Sequence, residues 1–202
     1  MDAHSLHTIA HSLRSQLDCT QDIVCRHILH MLVEIGQPIA LSHLAVLLQM
    51  QVENLAIHLT HFSDAEFDKQ GNIIGWGMTL LPTPHQFLLP ERPLFTWCAF
   101  DTLLFPSLLG VEALVRSECS ASGQPITFAA NPKSLTDLRP ATSMISLIVP
   151  AARCDGVRGT FCRQSLFFQS EEAASPWLAL HPEAILLSIE EAATIGQIIA
   201  GM

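Results

Sequence analysis

The 202-residue sequence is short of charge. Only 14% of its residues are Asp, Glu, Lys or Arg, and ten cations face nineteen acids at a formal net charge of −9. Nucleic acids are gripped by clustered Lys and Arg, so a few scattered cations weigh against nucleic acid as a main partner. No apolar run approaches the roughly 20 residues that a membrane-spanning helix needs. The longest greasy stretch, Leu94 to Leu109, is interrupted by Cys98, Asp101, Thr102 and Pro106. The opening MDAHSLHTIAHSLRSQ lacks the basic start and apolar core of a secretory signal. No membrane association and a cytoplasmic location are therefore expected.

Several catalytic signatures are missing too. There is no Gly-rich phosphate loop, no nucleophile elbow and no His-Glu-x-x-His, which leaves phosphoryl transfer, serine hydrolysis and common zinc-protease chemistry without support. The six cysteines are Cys19, Cys25, Cys98, Cys119, Cys154 and Cys162. None of their spacings forms a C-x-x-C, so zinc-ribbon and thioredoxin readings lack their mark. Nearly half the residues are hydrophobic, enough for a core without disulfide staples. What remains is buried structural thiols together with reactive or soft-metal thiols.

The first part of the chain reads as helical. Apolar residues recur at Ile23, Val24, Ile28, Leu29, Leu32 and Ile35 with nearly helical period, and Gly36-Gln37-Pro38 ends the run. Ser42 is placed to cap a second helix, His43 to Met50, and a third runs from Val52 to Phe62. A hairpin turning at Gln70-Gly71-Asn72 follows. Three helices and a hairpin suggest a winged-helix-like domain over residues 1–82. Its third helix carries Glu53, Asn54, His58 and His61 but no Lys or Arg, poor equipment for phosphates or guanine edges.

Residues 83–202 read as a mixed α+β domain with mostly antiparallel strands, the whole chain being of α+β class. A helix-like apolar segment spans Phe95 to Phe105, with strands expected at Val111–Ser117, Pro125–Ala130, Ser143–Val149 and Gln164–Phe168. Ser188 with Glu191 forms a capping box for a last helix reaching about Ala200.

The stretch Trp97-Cys98-Ala99-Phe100-Asp101 carries the most chemical information. On a helix Cys98 and Asp101 would share a face, surrounded by Leu94, Phe95, Trp97, Phe100, Leu103, Leu104 and Phe105. An acid in such surroundings is costly to ionise and keeps its proton near neutral pH. A thiol beside it makes a pair able to bind a metal and donate a proton. A small core cysteine and an acid beside free N–H groups at a helix start fit the same spacing, so it leaves both readings open. Cys162 precedes an expected strand, next to Arg163, whose charge would favour a thiolate. Cys119 reads as structural, Cys154 as a loop residue, and Cys19 and Cys25 as incidental. His4, His7 and His11, His27 with His30, and His58 with His61 are spaced to share helical faces. They have no thiol or carboxylate partner at a recognised metal spacing, so solvated faces are expected.

Taken in order, four segments resemble the organomercurial (alkylmercury) lyase family: Asp68 to Leu80, DKQGNIIGWGMTL; Leu94 to Pro106, LFTWCAFDTLLFP; Ser117 to Gly123, SECSASG; and Phe161-Cys162 followed by Phe167-Phe168. The resemblance runs from about Thr20 to the C-terminus. It implies that Cys98 and Cys162 bind mercury, that Asp101 is the catalytic carboxyl and contacts the metal, and that Cys119 is structural. It also implies cleavage of a carbon–mercury bond by protonolysis, with no cofactor required and Hg(II) held as product until small thiols or a mercuric reductase take it. Some members carry a further cysteine where this chain has Arg163, and the His-rich N-terminal segment matches nothing in the family pattern. Two other functions remain: a non-catalytic thiolate protein for soft metals, which needs no buried acid, and a metal-responsive winged-helix regulator, which the missing cations oppose.

Overall fold

The computed structural model describes residues 1–16, 22–60, 64–151 and 156–201. Helix α1 (Ala3–Gln16) buries Leu6, Ala10 and Leu13 along one side and packs on the last helix, α7 (Ile189–Gly201). The exposed histidines His4, His7 and His11 line its other side.

Helix α2 spans Ile23–Ile35, as the periodicity predicts. The Asp22 side chain caps it by accepting the Cys25 N–H at 3.0 Å. Gly36 ends it at φ +63°, a left-handed conformation natural to glycine. Helix α3 covers Leu41–Leu47, starting earlier than expected and capped by Ala40 rather than Ser42. The reason lies just upstream: Ile39 exchanges two 2.8 Å backbone hydrogen bonds with Ile73, holding the chain extended until the helix starts. Gln49, at φ +54°, stops it short of Met50. Helix α4 spans Val52–Thr60; the expected end at Phe62, like His61, lies outside the described residues.

The expected hairpin forms from β1 (Glu66–Phe67) and β2 (Ile73–Trp76). Asp68 holds its turn by accepting the N–H groups of Gln70 at 2.9 Å and Asn72 at 2.8 Å. Then come β3 (Met78–Thr79), β4 (His85–Leu89), β5 (Arg92–Thr96), helix α5 (Asp101–Leu109), β6 (Ala113–Glu118), β7 (Pro125–Ala130), β8 (Leu135–Arg139) and β9 (Met144–Leu147). A 3-10 turn at Cys162–Gln164 leads into β10 (Leu166–Phe168), α6 (Glu171–Leu178), β11 (Ile185–Ser188) and α7. Ser188 and Glu191 make the expected capping box, with bonds of 2.9 and 3.1 Å.

The described strands form two antiparallel sheets, ordered β1-β2-β3-β5-β4-β6-β7-β8 and β10-β9-β11. The wing hairpin therefore continues into the sheet that delivers β5. The helix expected over Phe95–Phe105 is part strand and part helix: Phe95 and Thr96 close β5, and α5 begins only at Asp101. Cross-strand pairing of Phe95 with Gln86 and Thr79 captures the first residues, and a turn at 97–100 separates the two elements. Helix α5 is buried on nearly every side, as a helix at the heart of a fold must be. Helix α7 crosses it so closely that a Cβ on Gly196 would lie 2.8 Å from the Leu103 carbonyl oxygen. No described helix is long and apolar enough to cross a membrane.

Candidate active site

Cys98 sits in the turn between β5 and α5, not on the helix, so its meeting with Asp101 is made by a hydrogen bond across the turn rather than by a shared helical face. The Asp101 carboxylate accepts the Cys98 backbone N–H at 3.0 Å. Thr96 donates its hydroxyl to the Cys98 carbonyl at 3.0 Å, and Thr102 donates to the Ala99 carbonyl at 2.7 Å. Both threonines are fully buried. Each tight bend of the turn is thus bonded to a neighbouring side chain, which matters where water is absent.

Cys162 lies at the start of the 3-10 turn before β10. Its neighbour Phe161 meets Phe100 edge to face at 5.8 Å. The two turns bring three potential ligand atoms, the Cys98 and Cys162 sulfurs and an Asp101 carboxylate oxygen, within 4.8 Å of one another. All three residues are buried, at 0%, 6% and 8% exposure.

Burial dominates the electrostatics. It pushes the Asp101 carboxyl from 3.8 to about 7, against the opposing pull of hydrogen bonds from the Cys98 thiol and the Cys98 and Trp97 backbone N–H groups. Burial also raises the Cys98 thiol; a hydrogen bond with Cys162 draws it down, while the Asp101 charge pushes it further up. Near neutral pH the acid can therefore either hold or accept a proton, beside two soft sulfur donors.

Other residues sort as follows. Arg163 is exposed on its turn. Arg158, unremarked in the sequence, lies over the Trp97 ring at 5.0 Å and pairs with Glu66, tying the stretch before Cys162 to the wing. Cys119 is buried at the end of β6, where its sulfur accepts the Gln169 N–H at 3.4 Å, in keeping with a structural thiol. Burial pushes that thiol up, but hydrogen bonds from Ser122, Gln169 and Ala121 outweigh it and hold it below its ordinary value. Cys25 is a core residue of α2, and Cys19 and Cys154 lie outside the described residues. His58 pairs with Asp22 at 3.0 Å rather than facing solvent freely, and the His27 ring bonds the Ile23 carbonyl at 2.8 Å. The sequence carried no warning of Thr96, Thr102 and Ser165, whose only sign is a hydroxyl residue one to three positions from a candidate ligand or acid.

Comparisons with known proteins place the chain in a family. Residues 78–201 match the alkylmercury lyase family model, and residues 5–77 match the model for the helix-turn-helix domain of alkylmercury lyase. The alkylmercury lyase of Pseudomonas putida is 41% identical over 165 residues, which cover 82% of this chain and 77% of that one. The alkylmercury lyase of Staphylococcus epidermidis is 36% identical over 172 residues, covering 85% and 79%. The crystal structure of the mercury-bound form of MerB2 shares the fold, with a TM-score of 0.77 at 21% identity over 98% of each chain. This chain belongs to the alkylmercury lyase family of enzymes.

Proposed function

We propose that this enzyme splits the carbon–mercury bond of alkyl- and arylmercury compounds by protonolysis, with Cys98 and Cys162 holding the metal and Asp101 delivering the proton. The observation that carries the reading is the buried trio itself: two thiols and one carboxyl with a raised pKa, within 4.8 Å of one another. In this reading residues 1–82 form the helix-turn-helix-bearing domain and residues 83–202 carry the chemistry.

Mercury(II) is soft and favours thiolates. One thiol binds R–Hg⁺ and loses its proton to the Asp101 carboxylate, since metal binding drives ligand deprotonation. The second thiolate then joins the metal and raises its electron density. The carbon–mercury bond breaks with its electron pair on carbon, and Asp101 returns the proton there as general acid. The products are R–H and Hg(II) held by two thiolates; the second thiol's proton leaves to solvent. The apolar walls receive the organic group and keep water from the acid. The reaction asks for no organic cofactor and no resident metal, because the substrate's own mercury is the electrophile. Small thiols remove the product, a mercuric reductase is the fitting consumer, and detoxification in the cytoplasm is the setting.

The test is hydrocarbon release from phenylmercury or methylmercury with excess thiol. Asp101→Ala and Cys98→Ala should each abolish release, and near-normal turnover in either would sink the assignment. A non-catalytic thiolate carrier would instead bind mercury stoichiometrically and release no hydrocarbon even as wild type.

A further inference from the structure

Cys98 and Cys162 stand far apart in the sequence, on two turns, yet must meet on one metal. A single residue stitches those turns together. Ser165 is 1% exposed. Its N–H donates to the Cys162 carbonyl at 3.2 Å, closing the Cys162 turn, and its carbonyl accepts the Ala99 N–H at 3.3 Å. Its hydroxyl oxygen accepts the Phe100 N–H at 3.0 Å. Behind it, the buried Ser146 hydroxyl donates to the Gln164 carbonyl at 2.8 Å and accepts the Leu166 N–H at 3.3 Å, anchoring both chain neighbours of Ser165 to β9.

We propose that the Ser165 hydroxyl is a positioning group for the thiolate pair: it sets the Cys98 turn against the Cys162 turn so that both sulfurs reach one mercury. The inference rests on the protonolysis reading above. Removing the hydroxyl leaves the Phe100 N–H buried without its partner, a costly state that the turn relieves by moving. Capture of the substrate by one thiolate survives such a shift. Coordination by the second does not, because small displacements of reacting groups carry large kinetic penalties. The hydroxyl therefore acts on kcat more than on KM.

The experiment compares wild type, Ser165→Ala, Ser165→Thr and Ser117→Ala, the last removing a buried hydroxyl that bonds the His85 ring at 2.7 Å instead of the backbone of either turn. Steady-state hydrocarbon release and retention of bound Hg(II) against added glutathione are both measured, with thermal unfolding as the control. Ser165→Ala should lose about tenfold or more in kcat, with KM little changed and Hg(II) surrendered at lower glutathione. Ser165→Thr should recover both properties, and Ser117→Ala should keep both at a comparable loss of stability. Ser146→Ala, which loosens the same segment without touching Ser165, should show the same pattern more weakly, and stands in if Ser165→Ala does not fold. Unchanged kcat and Hg(II) retention in folded Ser165→Ala or, in its place, Ser146→Ala, or equal losses in Ser117→Ala, would overturn the proposal. A wild-type protein that holds Hg(II) but releases no hydrocarbon would overturn the protonolysis reading. Equal retention by wild type and Ser165→Ala would then overturn the positioning role separately.

Discussion

A carboxyl group buried in a protein interior keeps its proton because the ion has lost its water. Asp101 shows the consequence for stability as well as for chemistry. Its pKa rises from 3.8 to about 7 by burial, so between those values the folded state holds a proton that the unfolded chain has released. Stability therefore falls as pH rises through this window and levels off above it, by about 4 kcal/mol in all. Asp101→Asn has no such proton to lose. Urea unfolding should find it more stable than wild type at pH 8 and much closer to wild type at pH 4, while hydrocarbon release is lost. An equal difference at both pH values would show that the burial cost is misjudged. At this scale the sequence announced the acid and the two thiols through their ordered segments and apolar setting. It was silent on Thr96, Thr102 and Ser165, because a hydroxyl that bonds a backbone group, close by for the threonines and 65 residues away for Ser165, leaves no periodic trace.

Among the elements, strong periodicity was readable and competition between periods was not. The run from Ile23 to Ile35 has one apolar face and forms the helix expected of it. The run from Phe95 to Phe105 is mostly apolar with no single apolar face, which suits a buried strand as well as a buried helix, and the chain uses it for both. Pro84, Pro90 and Pro93 disguised β4 and β5, and Pro176 disguised α6, since proline argues against strand and helix interiors alike. Gly196 offers a test of the α5–α7 packing that places Asp101. Helix propensity alone favours Gly196→Ala by about 1 kcal/mol. The added Cβ would lie 2.8 Å from the Leu103 carbonyl oxygen and 3.0 Å from the Leu104 Cα, and overpacking of this kind costs about 1–3 kcal/mol. The melting temperature should fall by a few degrees; a rise would mean that the two helices have room to spare.

For the molecule as a whole, the α+β class and the antiparallel pairing followed from alternating patterns and turn signals, whereas the continuity of the wing with the large sheet did not. That continuity depends on β3 pairing with β5, a long-range choice that short windows cannot hold. The interior also contains one polar pair that nothing in the sequence marked. His85 is 8% exposed, bonds the Ser117 hydroxyl at 2.7 Å, and is pushed down by burial from 6.5 to about 4. Its folded pKa is depressed, so between about 4 and 6.5 the unfolded chain binds the extra proton. This contribution is present above pH 6.5 and is lost as pH falls to about 4, amounting to about 3 kcal/mol. His85→Gln should flatten that part of the acid profile in thermal unfolding, and an unaltered profile would place the acid sensitivity elsewhere. The central claim concerns where the proton on the hydrocarbon comes from, and phenylmercury turnover in heavy water tests it most directly. Wild type should release benzene carrying one deuterium while Asp101→Ala releases none; benzene without deuterium, or equal release from the variant, would contradict protonolysis by Asp101.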